Sequence, residues 1–215
     1  MRRRLDVPQT ALSLGAETYP RRYDGIGTRA EDVAADVTLA LLEQEGSCID
    51  LCGEALIWDP ACGDGSIGRV LEAAGYTVIG SDPDETDFGV SKVDFLACDL
   101  RLANIVVSCP PVGQASEYAR HLLVDLQVGY AALLVPTDYL HGHAGRSLFR
   151  DMPPTFAFSI AWPMRIRETP LRPGEAMWCV WLGAWRGPTE LRLLDRPMAP
   201  PLDLRSPAAP NGSVR

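Results

Sequence analysis

The stretch IWDPACGDGSIG, residues 57–68, constrains the fold of this chain more than any other feature of the sequence. A short apolar run over 55–58 ends at Asp59-Pro60, and three glycines follow within eight residues. Apolar side chains then recur at helical spacing, at Ile67, Val70, Leu71 and Ala74. This pattern predicts a buried strand, a tight turn and an amphipathic helix in direct succession.

The chain on either side of this unit alternates between helix and strand patterns. Thr28 and Glu31 form a capping box that opens a predicted helix over 29–45. Ala119, Leu122, Leu123 and Leu126 mark one face of another helix. Strands are predicted at 77–81, 93–100, 104–108 and 129–136, with a loop over 82–92. Apolar strands that alternate with helices are typical of a parallel sheet covered on both faces.

The pattern changes after residue 150, and this change divides the chain. TFAFSIAW and AMWCVWLGAW lack a long helix between them and predict an antiparallel hairpin at the sheet edge. We therefore expect an N-terminal extension over 1–28 and one α/β domain over 29–186. Residues 187–215 are rich in proline, which predicts a loop or a disordered tail.

Charge and cysteine content limit the class of protein. The 215 residues carry a net charge of −8, yet residues 1–30 hold six arginines against three acids and residues 145–215 hold ten against six. An acidic protein of this kind presents a basic surface to phosphates only if its two ends share a face. The six scattered cysteines indicate reduced thiols rather than a disulfide scaffold or a metal site. No apolar run is long enough to span a membrane, so we expect a cytoplasmic protein.

The glycine turn satisfies the G-x-G-x-x-G pattern of a dinucleotide site, but its approach is unusual. Asp59 and three more residues separate the strand from Gly63. A carboxylate at this position repels a diphosphate and attracts an ammonium group, which favours S-adenosylmethionine over a nicotinamide cofactor. Asp82, at the end of the second strand, is placed to accept hydrogen bonds from two ribose hydroxyls.

An ordered set of motifs over about residues 25–185 carries a resemblance. DPACGDG, the acid in VIGSDP, the VDFL segment and a Pro-Pro pair after the fourth strand resemble the Rossmann-like methyltransferases. The phage-associated adenine-N6 DNA methyltransferases are the most similar type. The resemblance implies an α/β sandwich with a seven-stranded, mostly parallel sheet and an antiparallel edge hairpin. It also implies S-adenosylmethionine as cofactor and DNA as partner.

The resemblance also implies roles for individual residues. Asp59, Gly63 and Gly65 would line the methionine end of the cofactor, Asp82 the ribose, and Asp94 the adenine amino group with Phe95 beside the ring. A turn-capping role for Asp94 and a plain core role for Phe95 remain open. The full predicted cofactor set is Asp59, Ala61, Gly63, Gly65, Asp82, Pro83, Asp94 and Phe95.

The sequence departs from the family where the acceptor would bind. Cys109 replaces the Asn or Asp of N-P-P-F/Y, and Val112 replaces the aromatic residue that stacks on a flipped base. Cysteine is a weak hydrogen-bond acceptor, and valine offers no face for stacking. We predict Cys109, Pro110 and Pro111 as the catalytic segment.

Three interpretations of this segment stay open. The Pro110 carbonyl accepts the hydrogen of an amine while Tyr139 or Trp162 supports the base; Cys109 acts as a thiol nucleophile on a pyrimidine; or the protein binds cofactor without useful turnover. A protein or small-metabolite acceptor is a further alternative, because it suits the acidic charge. His141 and His143 are expected near the acceptor face, as exposed residues or as a general base.

Overall fold

A computed structural model describes residues 33–51, 56–111, 113–166, 169–171, 174–183 and 185–197 of the chain. The predicted extension over 1–28, the residues from 198 onward, and Val112 lie outside these ranges. The expectations for those residues stay predictions.

The described chain forms one eight-stranded sheet, a separate two-stranded sheet and four α-helices. The helices are α1 (Val33–Leu51), α2 (Ser66–Ala73), α3 (Ala115–Arg120) and α4 (His143–Asp151). The strands are β1 (Leu56–Asp59), β2 (Thr77–Asp82), β3 (Val90–Ser91), β4 (Ile105–Ser108), β5 (Tyr130–Pro136), β6 (Phe156–Ile160), β7 (Met164–Ile166), β8 (Thr169–Leu171), β9 (Ala176–Leu182) and β10 (Glu190–Leu194).

The large sheet has the order β10-β6-β9-β5-β4-β1-β2-β3. Its β3-β2-β1-β4-β5 half is parallel throughout, whereas β9 runs antiparallel to both β5 and β6. A dinucleotide-binding sheet of order 3-2-1-4-5-6 continues in parallel past the fifth strand. The antiparallel β9 beside β5 therefore distinguishes this sheet from that fold.

Helices cover both faces of the sheet. On one face, α1 and α2 bury Val37, Leu41 and Leu71 against the sheet, and the indole Nε1 of Trp178 donates to the Val37 carbonyl at 3.0 Å. On the other face, α3 and α4 bury Tyr118 and Leu148. This double cover explains why the central strands are apolar on both sides.

The structure corrects three secondary-structure predictions. VDFLACDL does not form a strand over 93–100: Asp94 caps a 3-10 turn at Phe95–Ala97, and the short β3 lies earlier, in the predicted loop. Helix α1 continues to Leu51, past its predicted end near 45. The sheet has eight strands rather than seven, because Glu190–Leu194, predicted as loop, forms a further strand.

The strand at 190–194 pairs in parallel with β6, so that β10 rather than the β6–β9 pair forms the edge of the sheet. Leu194 is buried in the core, and the Arg192 guanidinium lies 4.3 Å from the ring centre of Phe156. These contacts attach Glu190–Leu194 to the sheet despite the flanking prolines. Within the described residues, no helix combines the length and hydropathy needed to cross a membrane.

Candidate cofactor and acceptor site

The carboxyl ends of β1, β2, β4 and β5 meet at one edge of the sheet, because these strands are parallel neighbours. The sheet order reverses at β1: β1 leads to α2 on one face of the sheet, and its neighbour β4 leads to α3 on the other face. Open α/β sheets bind ligands in the crevice at such a point. Asp59, Asp82 and Ser108 are the last residues of β1, β2 and β4 and therefore meet at this edge.

Asp59 is the most buried charged group at this edge, with 1% of its surface exposed. Its Oδ1 accepts hydrogen bonds from the Ser108 hydroxyl at 2.6 Å and from the Ala61 amide at 3.3 Å. Within the described residues its Oδ2 has no hydrogen-bond partner. Burial raises the pKa of this carboxyl to about 7, and the nearby charge of Asp82 adds to the rise, although the Ser108 hydrogen bond opposes it.

Asp82 fixes the glycine turn from the end of β2. Its Oδ2 accepts the Gly63 amide at 2.8 Å, and its Oδ1 accepts the Asp84 amide at 2.9 Å. The Thr86 hydroxyl donates to the Gly63 carbonyl, so that both backbone groups of Gly63 are held from this side. An ionised carboxylate has about four acceptor positions, which leaves Asp82 capacity for further donors.

The glycines of the turn have two different environments. Gly63 has φ +52°, and a Cβ added there meets nothing within 4 Å. Gly65 has φ +82°, and a Cβ added there would lie 2.6 Å from Phe88 Cβ. The Phe88 ring also lies against Gly68 and Gly80. Gly65 and Gly68 therefore make room for an aromatic side chain of the same protein, while Gly63 alone of these faces open space.

Pro83, Asp94 and Phe95 occupy distinct positions near this edge. Pro83 is exposed directly after Asp82. Asp94 is exposed, and its Oδ1 accepts the Leu96 amide at 3.1 Å, which is the capping geometry. Phe95 is buried in the core, with its ring centre 5.2 Å from that of Trp58 and 4.5 Å from that of Tyr118. The Phe95 ring therefore packs within the core, with 1% of the residue's surface exposed.

The predicted catalytic segment begins immediately after β4. Cys109 is half-buried and packs on the cluster beneath α1, Pro110 is buried, and the Pro111 carbonyl accepts the Gln114 amide at 2.8 Å. Ser108 precedes Cys109 and is hydrogen-bonded to Asp59. The end of β1 and the start of the Cys109–Pro111 segment are thereby joined by one buried contact.

Tyr139 and Trp162, the two aromatic residues predicted to support the base, both make other contacts. The Tyr139 hydroxyl accepts the Ser116 amide at 2.8 Å and also contacts the Ser116 hydroxyl, in the first turn of α3. Trp162 lies in the core. His141 and His143 are exposed, at the end of the turn after β5 and the start of α4.

Acidic and basic side chains occupy different elements near this edge of the sheet. Exposed acids surround the turns after β1 and β2, namely Asp64, Asp84, Glu85 and Asp87. Exposed basic side chains occur on α4, at Arg146 and at Arg150, which pairs with Asp151. In the part of the chain that the structure describes, no group of histidines, cysteines and carboxylates is arranged to hold a metal ion.

Sequence reasoning missed three residues that shape this site: Ser108, Thr86 and Phe88. Ser108 could have been recognised from the sequence as a site residue, because it is the one polar residue of the otherwise apolar strand IVVS. Thr86 and Phe88 lie in a segment without periodicity, and their contacts with the glycine turn depend on how the loop folds back.

Comparison with solved structures identifies the fold. A protein of Listeria monocytogenes assigned to the class I S-adenosylmethionine-dependent methyltransferases aligns with a TM-score of 0.50 and 16% identity, over 79% of this chain and 67% of that one. The fold is that of the Rossmann-like methyltransferases. The fold prediction is thereby confirmed, with the eighth strand β10 as an addition.

Two further solved structures align less well. One, assigned as an RNA methyltransferase of Pyrococcus horikoshii, has a TM-score of 0.49 and 15% identity over 68% of this chain and 81% of that one. The other, assigned as the modification subunit of a type I restriction enzyme of Vibrio vulnificus, has a TM-score of 0.49 and 11% identity over 81% of this chain. This chain spans 48% of that subunit. No protein-family model matches the sequence, and no curated protein matches it.

Proposed function

We propose that this protein is an S-adenosylmethionine-dependent methyltransferase that acts on an exocyclic amine of a nucleic-acid base, with adenine N6 in DNA as its acceptor. The observation that carries the proposal is the pair of carboxylates at the ends of the neighbouring strands β1 and β2, of which Asp82 binds the amide of the open Gly63. The fold supports it, because the methyltransferase fold aligns over most of the chain.

The residues present fit this cofactor. Asp59 keeps one buried oxygen without a partner among the described residues, and its anion would be stabilised by a cationic ammonium group. Gly63 leaves open space in which a bulky ligand would contact backbone, and Asp82 retains acceptor positions for ribose hydroxyls. The exposed acids after β1 and β2 repel a diphosphate, which argues against a dinucleotide.

The segment after β4 supports the acceptor assignment. When bound, the cofactor supplies a methyl group on a sulfonium, which needs positioning and local electrostatics more than acid–base chemistry. We assign the Pro110 carbonyl to accept a hydrogen of the amine, which directs the nitrogen lone pair toward the methyl group. The Ser108 hydroxyl donates to Asp59 Oδ1 at 2.6 Å. This hydrogen bond holds the segment proposed to bind the acceptor next to the strand end proposed to bind the cofactor.

The charge distribution supports a nucleic-acid acceptor on the α4 side of the site. Arg146 and Arg150 lie on α4, close in sequence to the carboxyl end of β5, while the exposed acids lie toward β2. Basic side chains on α4 would attract a phosphate backbone and leave the acidic half of the edge to the cationic cofactor.

Binding and turnover are tested separately. Calorimetric titration of S-adenosylmethionine should give a saturable site in the wild type and a much weaker one in Asp82→Ala, with Asp138→Ala as an exposed acidic control. Unchanged affinity in Asp82→Ala would overturn the cofactor placement. Folding of each variant is verified by its thermal melting curve.

Turnover is measured by transfer of radiolabelled methyl to DNA, RNA, protein extract and metabolite pools. The proposal predicts label in DNA as N6-methyladenine. Label in protein or metabolites alone would replace the acceptor assignment.

A second function is favoured by one observation, the cysteine at position 109, whose thiol is a weak acceptor for an amine hydrogen. In that case the protein binds cofactor without turnover. Label in no pool with wild type, but in DNA with Cys109→Asn, would identify Cys109 as the residue that suppresses transfer.

A further inference from the structure

The outer edge of β10 is a free sheet edge in the described chain. β10 pairs with β6 on its inner side, and among the residues that the structure describes no strand pairs with its outer side. Strand edges of this kind expose unpaired amides and carbonyls, which can pair with another chain.

The backbone groups that point outward belong to Leu191 and Leu193. The Glu190 amide donates to the Thr155 carbonyl at 3.0 Å, and the Leu194 carbonyl accepts the Ala161 amide at 3.3 Å. Alternate residues of a strand direct both backbone groups to the same side, so Glu190, Arg192 and Leu194 bond to β6. The remaining two residues direct theirs away from the sheet.

The side chains of these same two residues are exposed on one face. Leu191 is 71% and Leu193 70% exposed, the largest values among the exposed large hydrophobic residues of the described chain. Natural edge strands commonly carry outward charge or proline to prevent pairing. Here the only charges on β10 are Glu190 and Arg192, which pair with each other at 2.9 Å on the opposite face.

We propose that two copies of this protein associate through β10, with the two β10 strands antiparallel about a twofold axis at Leu191. This register places Leu191 opposite Leu191 of the partner subunit as a hydrogen-bonded pair, which satisfies the outward amide and carbonyl of Leu191 in both copies. It also places Glu190 opposite Arg192 of the partner subunit, twice by symmetry.

Charge complementarity selects this register and a second copy as the occupant. A twofold axis at Arg192 would place two arginines directly opposite each other, and an axis at Leu193 would leave Glu190 outside the paired segment. Opposite charges across a strand pair stabilise it and like charges destabilise it. The chain's own residues 198–215 are a poorer partner, because Pro200, Pro201, Pro207 and Pro210 lack the amide that a ladder needs.

The association state is measured by size-exclusion chromatography with multi-angle light scattering over a range of protein concentrations. Wild type should have twice the chain mass, and Leu191→Lys should have the mass of one chain. Val124→Lys is the matched control, because Val124 is an exposed apolar residue on another surface, and it should remain a dimer. Each variant's melting curve verifies that it is folded.

A charge exchange tests the register itself. Glu190→Arg alone places arginines opposite each other and should shift the protein to monomers, whereas Glu190→Arg combined with Arg192→Glu should restore the dimer. A wild type that is monomeric at every concentration, or a Leu191→Lys variant that stays dimeric, overturns the proposal. A monomer whose Leu191 and Leu193 amides resist hydrogen exchange would show that another segment of the same chain covers this edge, which also overturns the proposal. None of these results depends on cofactor binding or methyl transfer.

Discussion

Substitution of the two positive-φ glycines of the turn should separate packing from ligand binding. Gly63→Ala and Gly65→Ala both force alanine into left-handed backbone, at a cost of about 1–2 kcal/mol each. Only at Gly65 does the new Cβ collide with Phe88, which adds about 1–3 kcal/mol for overpacking. We expect Gly65→Ala to lower the free energy of unfolding by about 2–5 kcal/mol and Gly63→Ala by only about 1–2 kcal/mol.

The assay is urea unfolding followed by tryptophan fluorescence, with the m-value checked for each variant. A double-mutant cycle with Phe88→Gly isolates the collision, because glycine lacks both the ring and the Cβ that the new methyl group would meet, and the backbone strain at Gly65 remains. Gly65→Ala should therefore cost about as much as Gly63→Ala in the Phe88→Gly background. Equal costs for the two glycines in the wild-type background, with no coupling to Phe88, would refute this account of the turn.

Cofactor affinity should follow the opposite order. Gly63→Ala places its methyl group in the open space beside Asp82, where the proposed cofactor would lie, and should weaken binding more than Gly65→Ala does. Titration calorimetry on both folded variants measures this difference. A larger loss of affinity in Gly65→Ala would place the ligand on the other side of the turn.

Three further predictions concern buried polar groups. The folded-state pKa of Asp59 is raised from 3.8 to about 7, so between these pH values the folded state binds a proton that the unfolded state has lost. The free energy of unfolding should therefore fall as the pH rises through this window, and it should fall less in Asp59→Asn. Urea unfolding at pH 5 and pH 8 measures the difference. Affinity for a cationic cofactor should rise as pH increases through 7, with proton release detected calorimetrically in buffers of different ionisation enthalpy; a flat profile would contradict ionisation of Asp59 on binding. Tyr139→Phe keeps the ring but loses the hydrogen bond from the Ser116 amide, so urea unfolding should show a free energy of unfolding lower by about 0.5–1.5 kcal/mol, whereas a Tyr139 that acts only through its ring would leave it unchanged.

The sequence predicted the elements whose residues have regular periodicity. The strand, glycine turn and helix around Asp59 are present at 56–73, and the apolar runs at 77–82, 105–108 and 130–136 are parallel strands. The positions of Asp59 and Asp82 at strand ends followed directly, because the ends of parallel strands are set by where the apolar runs stop.

The periodicity of a sequence does not encode which parts of the protein its loops contact. Phe88 lies in a segment that has no repeat, so its contact with Gly65 and Gly68 depends on the tertiary path of the loop after β2. VDFL resembled a strand because its apolar residues alternate, but Asp94 satisfies the Leu96 amide locally and favours a turn. Pairing of β10 with β6 was missed because prolines on both sides of a short run resemble a tail.

The position of β9 has a consequence for how the chain folds during synthesis. β5 is complete at residue 136, but the strand that covers its far edge begins only at Ala176, and β6 pairs with that same strand. A nascent chain that ends before Ala176 therefore exposes the β5 edge and the apolar face that Trp178 later covers beside Val37. The emergence of β9 from the ribosome should be the step at which the growing chain loses its affinity for chaperones and becomes resistant to proteolysis.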